Sequence, residues 1–247
     1  MCTLTIIARP WGGYRLVHAR DEQRSRGIEL PPAWRDAPGG KVLCPTDPDA
    51  GGTWVALRGD HCSGVLNVNI APNGRAEPTE SRGRIPIALM GEGSLGARRG
   101  WFEDADLRPY APFTAFSVAP ENGRVGVLLV RWDGLKLDVL RDPEDPFEPV
   151  CVASSGLGDG RVQCRVPLFD DMVRSDPTPG NQDAFHAHMW GDRPEVSVLM
   201  SREDARTTSL TTVEVTPGRE PTMIHAALPE GEPAHDPVGA SLLHSRS

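Results

Sequence analysis

The chain lacks any cysteine pair of the CxxC kind. Its five cysteines, at 2, 44, 62, 151 and 164, are an odd number in 247 residues. That count excludes a zinc ribbon and fits reduced thiols better than a disulfide framework. No apolar run approaches the length of a membrane-spanning helix, so stable membrane insertion is not expected. Arg9 interrupts the first apolar stretch, which excludes a secretory signal there. The formal net charge is −8 and no basic stripe is present, so nucleic acid is not an expected partner. There is no Gly-x-Ser-x-Gly elbow and no visible Ser-His-Asp triad. Gly156-Leu157-Gly158-Asp159-Gly160 lacks the lysine and the βαβ setting of a phosphate loop, and reads as a turn. His186-Ala187-His188 places two histidines at i and i+2, which point apart on a helix, so no metal site is expected. Hydrophobic content, at 38%, is below the usual share.

What the chain does have is Gly 26 and Pro 24 beside apolar runs that recur at regular spacing. This is the pattern of a loop-rich globular protein. One domain is expected over 1–228, with the Pro-, His- and Ser-rich residues 229–247 as a loose tail. Strands are expected at 2–8, 14–19, 53–57, 62–69, 113–118, 125–132, 135–140, 150–154, 196–200, 206–215 and 222–228. Helices are expected at 81–90, 95–107, 159–174 and 181–190. Residues 22–51, with Pro31-Pro32, Pro38-Gly39-Gly40 and Pro45, read as irregular. Strand runs and helix runs do not alternate one by one, which argues against a doubly wound parallel sheet. The fold class is therefore α+β, with two stacked, mostly antiparallel sheets and helices outside.

The chemistry gathers at the start. Removal of Met1 would expose Cys2, and a cysteine is small enough for the initiator methionine to be clipped. Cys2 would then carry a thiol and an α-amine on one residue. With a reference pKa of about 7.7–8, that amine takes the thiol's proton at neutral pH and returns it to a leaving group. Taken alone, Cys2 reads better as a small buried residue opening a strand. The second strand, however, runs into Arg20-Asp21-Glu22, and a hairpin through Pro10-Trp11-Gly12-Gly13 would return Arg20 and Asp21 to Cys2. A terminus that must be clipped and then used cannot also direct secretion, so a cytoplasmic location is expected.

Four stretches share a pattern: Arg20-Asp21-Glu22 after the second strand, Gly51-Gly52-Thr53-Trp54, residues 65–69 followed by Ser81-Arg82-Gly83, and residues 205–210. Together they resemble the family named for its Asn-Arg-Asp-Glu motif, the transport and Golgi organisation protein 2 family. More distantly, the chain is similar to N-terminal-nucleophile hydrolases of the bile-salt hydrolase and penicillin V acylase type. The resemblance covers residues 1 to about 90 closely and about 150–215 loosely. It implies a four-layer αββα sandwich and an amidohydrolase acting on a small or lipid-like amide. It implies Cys2 as nucleophile, with Arg20 favouring the thiolate by its charge. Asp21, or Glu22 beside it, would hold the α-amine, with Asp21 favoured. Asn69 would point its amide at the developing oxyanion, and Arg206 would close the far side of the pocket. No resident cofactor is implied. The family's link to haem and lipid handling implies the alternative, a non-catalytic binding or trafficking protein for a hydrophobic ligand. Haem would then be a carried ligand, with thiolate ligation by Cys2 chemically reasonable. Two residues depart from the pattern: Ala19 stands where the motif has its first Asn, and Ser155 where the distant relatives have a late second Asn. The second departure leaves Asn69 as the main side-chain oxyanion donor and implies a slow amidase.

Overall fold

The chain's architecture, taken from a computed structural model, is described for residues 2–70, 77–230 and 241–244. It starts from a simple alternation. Side chains of a strand point to opposite faces in turn, so Cys2, Leu4 and Ile6 share one face of β1 (Cys2–Arg9) and Thr3, Thr5 and Ile7 share the other. Both faces are buried. β1 turns through Pro10–Gly12 into β2 (Gly13–Gln23), with Trp11 at φ 61° in the turn. β10 (Val150–Ser154) pairs on the other side of β1, and β11 (Ala205–Val215) on the other side of β2. With β12 (Thr222–Ala227) and β13 (Ser241–His244) this makes a six-stranded sheet in the order β10-β1-β2-β11-β12-β13.

The second sheet runs in chain order through seven strands: β3 (Leu30–Ala37), β4 (Gly40–Thr46), β5 (Val55–Arg58), β6 (His61–Asn67), β7 (Phe113–Glu121), β8 (Arg124–Trp132) and β9 (Leu137–Arg141). Neighbouring strands in both sheets pair antiparallel. Leu4, Ile6, Tyr14 and Leu16 of the first sheet meet Leu57, Leu66, Phe116 and Val127 of the second in one core. The short helices α1 (Ile85–Leu89) and α2 (Leu95–Asp104) bring Ile85, Leu89 and Phe102 onto Phe113, Leu128 and Val130. α3 (Arg165–Phe169) and α4 (Pro179–His186) bring Phe169 and Phe185 onto Ile7. The fold is α+β, two antiparallel sheets flanked by short helices.

Several local expectations need correction. Residues 22–51 are not irregular: β3 and β4 form a hairpin there, turning at Pro38-Gly39 with Gly39 at φ 77°. Pro31 and Pro32 are tolerated because β3 is the sheet's edge strand, where a missing N–H faces no partner. Residues 196–200 are not a strand. Val196, Val198 and Met200 are buried, but Met200 finds its partners in the Oγ1 and N–H of Thr207. The expected helix at 159–174 is a 3₁₀ turn at Asp159–Val162, then α3, then a π turn at Asp170–Arg174. Of the tail, residues 231–240 and 245–247 lie outside the described residues, while Ser241–His244 pairs with β12.

Candidate functional site

One register row crosses the first sheet from β10 to β11: Ser154, Cys2, Arg20 and Ser209 are successive partners. Cys2 belongs to the core between the sheets, so this row faces the second sheet. A cavity of about 130 Å³ opens there. Its lining brings Cys2, Arg20 and Asp21 together with Trp54, Asn67 and Arg82.

The far wall is set by two glycines. A Cβ on Gly52 would stand 2.7 Å from the Cα of Gly83, and one on Gly83 would stand 2.8 Å from the Cα of Gly52. The Thr53 N–H donates to the Gly83 carbonyl at 3.0 Å. Only glycine permits this approach of two backbones. It locks Gly52-Thr53-Trp54 to Ser81-Arg82-Gly83 and so fixes Trp54 and Arg82 around one space.

Arg20 is buried and heavily engaged. Its guanidinium donates to Asp47 at 2.9 Å and to Glu22 and Glu29 at 3.1 Å each. It also stacks over the Trp54 ring at 4.8 Å. Asp47 in turn accepts from the backbone N–H of Asp49 and Ala50 and pairs with Arg26 at 2.9 Å. Burial raises the Asp47 pKa, but the Ala50 N–H, Arg26 and Arg20 outweigh it, and the carboxyl sits below its usual value.

Asp21 follows Arg20 on β2, so its side chain turns to the other face of the sheet. Its Oδ1 accepts from the Thr207 hydroxyl at 2.7 Å, and Oδ2 from Arg165 Nη1 at 3.4 Å. Arg165 also donates to Thr3 Oγ1 at 2.6 Å and to the Val196 carbonyl at 3.1 Å. Thr207 reaches Asp21 because the β11 register shifts between Thr207 and Ser209. The extra residue, Thr208, lets Ser209 stay with Arg20 on the inner face while Thr207 meets Asp21.

The Cys2 nitrogen donates to Ser154 Oγ at 3.2 Å. Ser154 is thus the direct partner of the atom expected to act as base, with Asp21 held by Arg165 and Thr207. Burial pushes the Cys2 thiol up. The positive chain terminus and Arg20 pull it down, while Asp21 and Glu22 push with the burial. The net direction is upward, so Arg20, already shared among three carboxylates, does not make Cys2 a resting thiolate. Attack by this thiol requires a base to take its proton.

Asn69 does not line the Cys2 cavity; Asn67, two residues earlier at the end of β6, does. Asn69 is tied instead to Asp159. Asp159 Oδ1 accepts from the Asn69 N–H at 3.4 Å and from the Ser155 N–H at 3.1 Å. Asn69 and Ser155 are therefore joined through one carboxylate.

Arg206 lines a second, larger cavity of about 790 Å³, with Arg20, Glu22 and Arg26 common to both. Arg206 donates to the carbonyls of Thr207 at 3.2 Å and Leu228 at 2.7 Å. The structure thus gathers Cys2, Arg20 and Asp21, sets Arg206 across the Arg20 wall, and leaves Asn69 aside. Sequence reasoning gave no role to Ser154, nor to Asn67, although Asn67 lies in the matched stretch 65–69. For Arg82 the signal was present, in the Ser81-Arg82-Gly83 block, without a role attached. His186 Nε2 bonds Thr5 Oγ1 at 2.7 Å, His188 packs on Trp190 with ring centroids 4.9 Å apart, and no group of three potential ligands occurs among the described residues. Nor, among those residues, is any helix long and apolar enough to cross a membrane.

Fold and site define a two-sheet α+β protein with a buried cysteine at the end of a central strand, facing an arginine-rich cavity. Residues 1–118 match the family described as Transport and Golgi organisation 2. That stretch is homologous to the family, and it contains Cys2, Arg20, Asp21, Asn67 and Arg82. Ser154, Arg165, Arg206 and Thr207 lie beyond it. No curated protein matches the chain.

Proposed function

We propose that the protein is an N-terminal-cysteine amidohydrolase, with Cys2 as nucleophile once Met1 is removed in the cytoplasm. The observation that carries this reading is the meeting of Cys2 and Arg20 at one polar cavity, with Asp21 next to Arg20 on the opposite face of the same strand. The helices α1 and α2 on the outer side of one sheet, and α3 and α4 on that of the other, support an αββα sandwich of the N-terminal-nucleophile kind.

In this mechanism the Cys2 α-amine takes the thiol proton as Sγ attacks the amide carbonyl. The C–N bond breaks, the amine returns the proton to the leaving nitrogen, and an acyl thioester remains on Cys2. Water then cleaves the thioester, releasing the acid and restoring the thiol. Ser154 Oγ is close enough to orient the amine. Asp21 acts on the amine by its charge from behind the strand. Asn67, one of the residues lining the cavity, is the proposed oxyanion donor in place of Asn69. Arg206 serves the larger cavity, where the remainder of a longer substrate would lie.

The test joins three measurements. Intact mass is expected to show loss of Met1. Turnover of a panel of N-acyl amides is expected in the parent and absent in Cys2→Ala. Rapid quenching is expected to trap an acyl adduct on the Cys2 peptide. Full activity in a protein that retains Met1, or in Cys2→Ala, overturns the reading.

The larger cavity favours a second reading, a carrier for a ligand with an apolar body. Its volume falls within the range of small-molecule sites, roughly 300–1,000 Å³. Ile28, Ala227, Leu228 and Pro229 give it an apolar wall. Haem ligation by Cys2 does not fit these residues. The Cys2 cavity, at about 130 Å³, lies well below the range of small-molecule sites, roughly 300–1,000 Å³. Among the described residues, the larger cavity is lined by no His, Cys, Met or Tyr that would supply an axial ligand.

A further inference from the structure

Among the described residues, three arginines line the Cys2 cavity, and they are not equivalent. Arg20 is neutralised by Glu22, Glu29 and Asp47. Arg26 is neutralised by Glu22, Asp47 and Asp49. Arg82 forms no ion pair among the described residues; its Nη1 donates to the Pro112 carbonyl at 2.9 Å. It is half-buried, and it lies near enough to Cys2 for the two charges to act on each other. The contact of Gly83 with Gly52 anchors its backbone, so its approach to the cavity is preset.

A desolvated guanidinium without a carboxylate is costly, and its planar fork matches a carboxylate oxygen pair. We infer that Arg82 binds a carboxylate on the acyl half of the substrate, so that the site takes mono-amides of short dicarboxylic acids. This rests on the amidohydrolase reading above and names its substrate class. The cavity volume of about 130 Å³ limits the acyl part to a short chain. The acid end lies on Arg82, the amide carbonyl on Cys2, and the leaving amine points outward. Hydrolysis then releases a free dicarboxylate, which should itself bind as product.

The test uses glutarate as probe and N-aryl glutaric mono-amide beside the N-aryl amide of butyric acid as substrates. Glutarate is expected to bind the parent protein by calorimetry and to protect Cys2 from alkylation by iodoacetamide. Binding is expected to weaken at least tenfold in Arg82→Gln and less in Arg82→Lys, which keeps the charge but loses the fork. The mono-amide is expected to outpace the butyryl amide, with the preference lost in Arg82→Gln. Cys2 protection is read on the parent protein, so a poorly folded variant does not decide the outcome. If glutarate neither binds nor protects while the butyryl amide is hydrolysed, the inference is overturned and the amidohydrolase reading stands. Equal glutarate binding by parent and Arg82→Gln also overturns it. If glutarate binds through Arg82 and neither amide is hydrolysed, the carboxylate site stands and the hydrolytic reading fails.

Discussion

Arg20 holds one positive charge against three carboxylates, and the geometry makes Asp47 the most directed of them. Asp47 uses Oδ1 to cap its own loop and Oδ2 to bind both Arg20 and Arg26. Its pKa is depressed in the fold, so the unfolded chain takes up a proton first as acid is added. The stabilisation is therefore complete above about pH 4 and disappears as pH falls through the folded value. Asp47→Asn is expected to lower stability at pH 7 by about 2 kcal/mol, in the range for hydrogen bonds to charged groups. The gap between parent and variant should close on acidification, and urea midpoints at pH 7, 5 and 3 measure it. A gap that stays constant with pH would assign the effect to loop geometry alone. At this scale, Cys2, Arg20 and Asp21 were legible because strand pairing from a short hairpin follows from counting. Asn67 and Asn69 were not separable in the sequence, because two asparagines two apart fall on one strand face. Where the strand ends decides which of them reaches the cavity.

Elements were legible where one residue pattern had one meaning. Val150–Ser154 and the buried run Arg124–Trp132 lie where apolar β-branched residues predict them. The β3–β4 hairpin was not, since Pro31, Pro32 and Pro45 read as breakers until the edge position of β3 is known. Nor was the shift at Thr208, for no feature of Thr207-Thr208-Ser209 marks which residue will be extra. The Gly52–Gly83 contact joins two segments thirty residues apart and is likewise invisible in either segment alone. It has a clear consequence for mutation. Gly83→Ala would set a Cβ at 2.8 Å from backbone, which cannot rotate away. A loss of about 1–3 kcal/mol is expected, as for overpacking elsewhere. Chemical denaturation should show this, along with altered reactivity of Cys2 behind the displaced Arg82 segment. Unchanged stability and reactivity would mean that the two loops separate without cost.

For the molecule as a whole, the two most strongly shifted imidazoles, His18 and His186, contribute to the response to acid. His18 lies between the sheets, and His186 ends α4 against Thr5. Burial, assisted by nearby positive charge, lowers each to about 3. The unfolded chain binds these protons near pH 6.5 and the folded chain does not. Stability should therefore decline as pH falls below about 6.5, each imidazole contributing at most ~1.4 kcal/mol per pH unit. His186→Gln keeps a donor for Thr5 and removes one titrating group. Thermal melts between pH 7 and 4.5 should show a shallower acid slope in the variant. An identical slope would place the acid sensitivity elsewhere.

β1 sits between β2 and β10, and only one of these neighbours is close in the chain. During synthesis the hairpin with β2 closes almost at once, whereas β10 is about 140 residues away. At ~5–20 residues per second that is roughly 7–28 s. For that interval Leu4, Ile6 and Ile7 stand on an open strand edge, and the terminus is reachable. Once β10 docks, Ser154 closes on the Cys2 nitrogen and the strand is sealed on both sides. On the proposed reading, that interval is when Met1 is removed, and the proportion of competent protein is expected to rise as translation slows.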